Sequence, residues 1–478
     1  MHPRTLRRTL WMTTAAVWLV IGASAGTPVS AFADHLHRRV PELMERYEIP
    51  GVSVAVVKDG ELAWAGAYGY ADVAEKRPMT TRSICRAESI SKSVTAWGVM
   101  KAVEDGLIDP DAPVARYLET VAIPEGRFDT EEITVRRLLS NSAGLPLGTI
   151  GPAVEYPPGS RMPTKRAYLA DELRIVQTPG EGFLYSNVGY NLLELVIENV
   201  TGGGFESYMR EEVLEPLGMR NASYAWQEHM WELMPTGYEP DGTPVPPYVY
   251  PVDASGGLFA DVEDIARFVV ASTTGSSVTE KLHTPVVEVS GLFGFAADAY
   301  GLGHFVETLP DGRRAVWHGG QGHGWMTHFH AIPESRDGIV ILTNSQRSWP
   351  FISSVLSDWA EWTGAGRVKF GLIARVGSVL RGVLVLIVIA SLAQIYRLAR
   401  ESRDGRRRLA PLSRRTRWVR ALEAVLGSGI IAGLLWALGQ PYLFVSSIFP
   451  GTAGQAAWAL LLGALAMLSS ALLPRTGG

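Results

Sequence analysis

Ser89 is followed three residues later by Lys92, in the run Arg86-Ala-Glu-Ser89-Ile-Ser-Lys92-Ser-Val-Thr. A serine hydroxyl attacks a carbonyl only after a base removes its proton. Residues three apart share one face of a helix, so the spacing predicts that the Lys92 amine stands behind the Ser89 hydroxyl. Lysine acts as a base only where burial or neighbouring cations depress its pKa. If Ser89 opens the helix, the positive end of the helix dipole favours an alkoxide and an oxyanion beside it. A lone S-x-x-K recurs by chance, and two later segments give this one its weight. Tyr185-Ser186-Asn187 follows Pro179-Gly180 and precedes a helix, offering a phenol for proton relay and an amide for substrate binding. The plainer reading of Tyr185 is a core tyrosine at a helix start. Trp317-His318-Gly319-Gly320-Gln321-Gly322 lies beside a strand, where glycines let a substrate backbone approach and pair with the edge. Its plainer reading is a hairpin turn.

These residues need a scaffold, and the hydropathy pattern supplies one. Gly51–Lys58, Asp59-Gly60 and Glu61–Tyr68 read as a hairpin with a type I′ turn. Ser91–Asp105 has helical apolar spacing at Val94, Trp97, Met100 and Val103. Tyr190–Val200 is a second helix, stopped by Thr201-Gly202-Gly203. Ala315–Trp317, Thr327–Ile332 and Gly338–Thr343 read as strands, and Ile352–Trp362 as a closing helix. Strands at both ends with helices between them predict an α+β domain. Its antiparallel sheet joins the two chain ends, with flanking helices and an all-α subdomain.

In this order and spacing, the three chemical segments resemble the serine β-lactamase and D,D-peptidase superfamily. The branch they resemble is the class C β-lactamase-like group, which includes esterases and D-amino-acid peptidases. The resemblance covers most of residues 40–345, with Gly69-Tyr70-Ala71-Asp72, Leu138-Leu-Ser-Asn141-Ser-Ala-Gly144 and Ser255-Gly-Gly-Leu258 among its landmarks. It implies that Ser89 is acylated, Lys92 is the general base and Tyr185 the proton relay. It further implies that Asn187, His318, Gly319, Gly320 and Gln321 contact the substrate. The backbone N–H groups of Ser89 and Gln321 would form the oxyanion hole. That family usually has lysine where this chain has His318, which predicts poor hydrolysis of penicillins and cephalosporins. Asn141 stands where many relatives have histidine.

The two ends of the chain carry most of its apolar residues. Arg4, Arg7 and Arg8, then Leu10–Ala25, then Ala31-Phe32-Ala33 read as a secretory signal cleaved before Asp34, the plainer alternative being an uncleaved anchor helix. Residues 376–396, 425–445 and 452–473 are each long and apolar enough to cross a bilayer. Gly427, Gly429 and Gly433 suit close helix contact in lipid. Ten arginines lie between Arg397 and Arg420, and no charge lies between Ser446 and Gly451. The excess of arginine puts the first loop in the cytoplasm, and with it the domain of residues 34–365 outside. The expected localisation is a multi-pass cell-membrane protein. An exported domain followed by three spans is also similar to the membrane-anchored peptidases that mature acylated peptide prodrugs. Those peptidases, such as the colibactin-maturation peptidase, remove an N-acyl-D-asparagine cap.

Residues 34–365 hold 26 Lys/Arg against 45 Asp/Glu, a net −19. Such a domain repels nucleic acid and anionic lipid, so the expected partner is a small molecule or peptide; the resemblance to prodrug-maturing peptidases implies an N-acyl-D-amino-acid amide. The single cysteine, Cys85, excludes an intrachain disulfide and a thiolate cluster and reads as a core residue. His328 and His330 would share one strand face, but no carboxylate-rich segment accompanies them, so neither metal nor cofactor is expected. A transporter is disfavoured because the spans contain no acid, Glu423 being the nearest. A penicillin-binding sensor is disfavoured because the cytoplasmic side has no room for an output domain.

Overall fold

In the computed structural model, which describes residues 28–118, 121–124, 126–291, 293–409, 417–438 and 448–474, the runs at the two ends of residues 34–365 pair with each other. Strands β1 (Gly51–Lys58) and β2 (Glu61–Asp72) form the expected hairpin. Asp59 and Gly60 both have positive φ, as a two-residue type I′ turn requires. The sheet also contains β3 (Arg77–Pro78), β4 (Val287–Glu288), β5 (Ala299–Tyr300), β6 (Phe305–Thr308), β7 (Arg314–Gly322), β8 (Trp325–Ile332) and β9 (Asp337–Thr343). Its nine strands run in the order β3-β2-β1-β9-β8-β7-β6-β5-β4. At its centre β1 is antiparallel to β9, with Val52 opposite Thr343.

Both faces of the sheet are covered, so its central strands are buried on nearly every residue rather than on alternate ones. On one face Val52, Val54, Ile339 and Ile341 meet helix α1 (Val29–Tyr47) and helix α5 (Trp349–Trp362). On the other face Ala55, Val57, Val340 and Leu342 meet α4 (Val262–Ser272) and the helical region containing α2 (Ser91–Glu104) and α3 (Asn187–Thr201). Helix α2 differs from the one-sided helix that its apolar spacing predicts. Ser93 and Thr95 are fully buried, whereas Trp97 and Val103 are only half-buried. The buried hydroxyls are satisfied, Ser93 by the Gly303 carbonyl at 2.5 Å and Thr95 by the Ala254 carbonyl at 2.9 Å. Thus α2 runs through the middle of the domain, with Ser89 at its start.

The expected cleavage point after Ala33 falls inside α1. Phe32 is 4% exposed and stacks on Trp362 with ring centroids 4.5 Å apart. Residues 1–27, which hold the basic and apolar parts of the expected signal, lie outside the described residues.

Beyond α5, three helices among the described residues are long and apolar enough to cross a membrane: Lys369–Arg403, Trp418–Leu438 and Thr452–Leu472. The first contains α6 (Leu372–Arg403), about 48 Å long at 1.5 Å per residue, so its arginine-bearing last turns exceed a hydrocarbon core of about 30 Å. The second, α7 (Arg417–Leu438), begins eight residues before the expected span; positions 439–445 of that span lie outside the described residues. The third, α8 (Thr452–Leu472), is as expected. Gly427 meets Leu468 and the Ala464 carbonyl of α8 so closely that a Cβ would crowd them, whereas Gly429 and Gly433 have open space. Close helix contact is therefore made by one of the three glycines.

Candidate active site

Ser89 lies in a single 3-10 turn, Glu88–Ile90, that continues directly into α2. Glu88 before it has φ 51°, a left-handed conformation that strains a non-glycine residue. A buried polar cluster holds it there. Its carboxylate accepts Arg86 Nε at 2.8 Å and the hydroxyls of Tyr248 at 3.0 Å and Tyr250 at 3.1 Å. Arg86 also donates to the carbonyls of Tyr248 at 2.6 Å and Gly256 at 3.3 Å, between the two tyrosine rings. Removing either charge would leave the other buried and uncompensated.

Lys92 Nζ lies 3.1 Å from Ser89 Oγ and donates to the Ser255 carbonyl at 2.7 Å. The amine is fully buried, and desolvation pushes its pKa from 10.5 down to about 7, against the opposing pull of Glu88. The Tyr185 hydroxyl faces the Ser89 side chain, and burial holds that phenol well above its ordinary value. Lys92 Nζ is 4.9 Å from the centre of the Tyr185 ring. The three residues named from sequence therefore converge on one oxygen.

Each is fixed by residues distant in the chain. The loop that presents the Ser255 carbonyl is anchored by Glu194 of α3, which accepts from the N–H groups of Asp253 at 2.6 Å and Ala254 at 2.7 Å. The Tyr185 loop is anchored by Asn141, at φ 53°, whose side-chain oxygen accepts Ser186 N at 3.0 Å and whose carbonyl accepts Leu184 N at 2.7 Å. Ser186 then caps α3, accepting Gly189 N at 2.9 Å, which puts Asn187 in the first turn of that helix.

Strand β7 passes beside the Ser89 turn. Thr327 donates to the Ala87 carbonyl at 2.8 Å. A Cβ at Gly320 would collide with that carbonyl and with Thr327 Oγ1, and one at Gly322 would collide with the Glu88 carboxyl. Here the glycines have a steric cause: no larger residue lets β7 lie this near the nucleophile. Between them Gln321 walls the cavity, its side-chain oxygen accepting Trp349 Nε1 at 2.8 Å. Ser89, Asn187 and Gln321 share this cavity of about 670 Å³. Gly319 sits against Trp349 instead.

His318 is turned away from the cavity and is 1% exposed. Its Nδ1 lies 2.9 Å from the Gly319 carbonyl, which can only accept, so Nδ1 carries the proton. Its Nε2 then accepts from the Tyr300 hydroxyl at 3.2 Å. Burial, with Lys92 adding to it, holds the imidazole pKa well below its ordinary value, so the ring is neutral.

Cys85 is buried, as a core residue would be. His328 and His330 do share a strand face, with their rings 5.6 Å apart in the core. Sequence reasoning missed Glu88, Arg86, Asn141 and Glu194. The first two flank Ser89 in sequence, and a buried charge pair two residues apart is the signal that could have found them. Nothing local marks Glu194, whose role depends on a loop 59 residues away.

A family model described as beta-lactamase matches residues 36–353. The chain is 27% identical to protein flp of Staphylococcus aureus (strain N315) over 314 residues, covering 63% of this chain and 61% of that relative's length. It is 23% identical to penicillin-binding protein 4* of Bacillus subtilis (strain 168) over 343 residues, covering 67% of this chain and 74% of the relative. A solved structure, the octameric penicillin-binding protein homologue from Pyrococcus abyssi, superposes with a TM-score of 0.61 at 28% identity, covering 70% of this chain and 78% of that one.

Proposed function

Because the chain belongs to the beta-lactamase family, whose members are generally serine hydrolases, we propose that it is a membrane-anchored hydrolase that cleaves an amide or ester through an acyl-enzyme on Ser89. The carrying observation is a buried Lys92 amine, with a pKa near 7, 3.1 Å from Ser89 Oγ. Neutral Lys92 takes the hydroxyl proton as Ser89 Oγ bonds to the substrate carbonyl carbon. The carbonyl oxygen becomes an oxyanion facing the N–H groups of Ser89 and Gln321. Collapse of that intermediate breaks the bond to the leaving amine, which receives a proton through Tyr185 while Lys92 gives up the one it took. Water then attacks the ester on Ser89, releasing the acid and restoring the hydroxyl.

The substrate we propose is an N-acyl-D-amino-acid amide, such as the cap of an acylated peptide prodrug. Neutral His318 offers no charge to the carboxylate of a penicillin or cephalosporin. No lysine or arginine is among the described residues that wall the cavity. With the arginine-rich loop in the cytoplasm, the catalytic domain lies outside and the three spans hold it near a lipid-like substrate. The test is covalent labelling by a fluorophosphonate, followed by comparison of kcat/KM for a cephalosporin and an acyl-D-asparagine anilide. Ser89→Ala should abolish labelling, and wild type should prefer the anilide. Labelling that persists at another serine would reject the mechanism; preference for the cephalosporin would make the protein a β-lactamase.

A further inference from the structure

Three loops far apart in sequence meet in the wall of the cavity that contains Ser89. Glu155 follows the Gly151–Val154 turn, Glu239 lies between residues 237–238 and 244–245 of a small hairpin, and His323 lies in the tight turn from β7 to β8. His323 Nδ1 is 2.8 Å from Glu155 Oε2, and Nε2 is 2.9 Å from Glu239 Oε1. Carboxylate oxygens only accept, so both ring nitrogens must carry protons and the ring is an imidazolium. The two carboxylates hold the His323 pKa up at about 9, in agreement with that geometry. The trio therefore carries a net charge of −1. Glu88, also in the wall, is neutralised by Arg86.

One acceptor in this cluster is unused. The Glu155 side chain is 7% exposed, and its Oε1 is buried with no hydrogen-bond partner. A buried carboxylate oxygen without a donor is destabilising, and the group that relieves it is an N–H donor, best a charged one. Tyr248, beside this cluster, sends its hydroxyl to Glu88 and to the His323 carbonyl, not to Glu155.

We propose that Glu155, His323 and Glu239 form a specificity subsite for a substrate ammonium group. The subsite rests on the hydrolase reading and narrows it: the substrate carries a positively charged amine, as in a D-lysyl or D-ornithyl residue, and a carboxylate at the same place is rejected. The trio is assembled in advance, and its net charge steers the ammonium into the cavity.

The test uses the full chain in detergent and three p-nitroanilides, those of N-acetyl-D-lysine, N-acetyl-D-norleucine and N-acetyl-D-glutamate. The lysine compound should exceed norleucine by at least about tenfold in kcat/KM, equivalent to about 1.4 kcal/mol, and glutamate should be the poorest. Glu155→Gln should bring the lysine-to-norleucine ratio toward one. Glu239→Gln, in a partly exposed loop, should lower it as well and serves if the buried variant does not fold. Equal rates for lysine and norleucine, with Ser89 still labelled by fluorophosphonate, would overturn the subsite and leave the hydrolase intact. Failure to label Ser89 would reject the hydrolase itself, and the subsite with it.

Discussion

Replacing Lys92 by methionine should abolish activity and stabilise the fold at neutral pH. The free lysine side chain titrates near 10.5, and burial beside Ser89 brings it to about 7. Between those values the unfolded chain binds the proton that the folded one has lost, so wild-type stability rises with pH across that window and is lowest below it. At pH 7 the penalty is about 4 kcal/mol, from 1.36 kcal/mol per pH unit of displacement. Methionine removes that penalty but leaves the Ser255 carbonyl and the Ser89 hydroxyl each short of one partner, at about 1 kcal/mol apiece. About 2 kcal/mol of net stabilisation remains, or about 4 °C in melting temperature for a domain of this size. Near pH 10 the penalty has fallen to about 1 kcal/mol, and the order should reverse. The assay is a thermal melt of the detergent-solubilised chain at several pH values, run beside turnover of an acyl-D-amino-acid anilide. Wild-type kcat/KM should rise about tenfold per pH unit up to about 7 and then level, and the variant should lose at least about a hundredfold. A variant that melts below wild type at pH 7, or a wild-type rate that is flat from pH 5 to 8, would refute a buried amine as the base.

Asn141→Ala removes the acceptor of Ser186 N at a position with φ 53°; we expect a fall in kcat of about tenfold with the pH midpoint unmoved, because Lys92 is untouched. A shifted midpoint would mean that Asn141 acts on the base rather than on the Tyr185 loop. Gly320→Ala should destabilise by about 1–3 kcal/mol and slow fluorophosphonate labelling of Ser89, since its methyl group meets the Ala87 carbonyl. Normal labelling would show that β7 has room to move. Mass spectrometry of the mature chain should find Phe32 retained, with cleavage upstream of α1, for instance after Ala23-Ser24-Ala25; a chain begun at Asp34 should lose about 3 kcal/mol through the lost burial and ring stacking of Phe32.

The features legible in the sequence were those whose cause is local. Asp59-Gly60 dictates its turn, Gly202 stops α3 in a left-handed conformation at φ 69°, and the three-residue step from Ser89 to Lys92 fixes their mutual distance once a helix forms. The long apolar helices were legible for the same reason. Less legible were features created by packing. The spacing of Val94, Trp97, Met100 and Val103 marks a helix, yet it did not reveal that residues 91–96 at the start of α2 are all buried, because the buried surface also holds hydroxyls whose partners are Gly303 and Ala254. The Ala31-Phe-Ala33 pattern satisfies a protease rule and a helix core at once; only the stacked Trp362 ring distinguishes them.

His318 illustrates the boundary between the two kinds of feature. Its place in the Trp317–Gly320 run correctly locates the strand beside the nucleophile, but the position says nothing about which way the imidazole turns. The ring is held by Tyr300, 18 residues earlier, and by the next carbonyl in its own strand, so it is spent as a neutral spacer behind β7. The cationic imidazole of the cavity is His323, five residues on, because the β7–β8 turn carries it between Glu155 and Glu239. Charge at this site is therefore set by loop geometry rather than by the strand motif. Two chains with the same motif but different loops at 155 and 239 should accept substrates of different charge through the same Ser89, Lys92 and Tyr185.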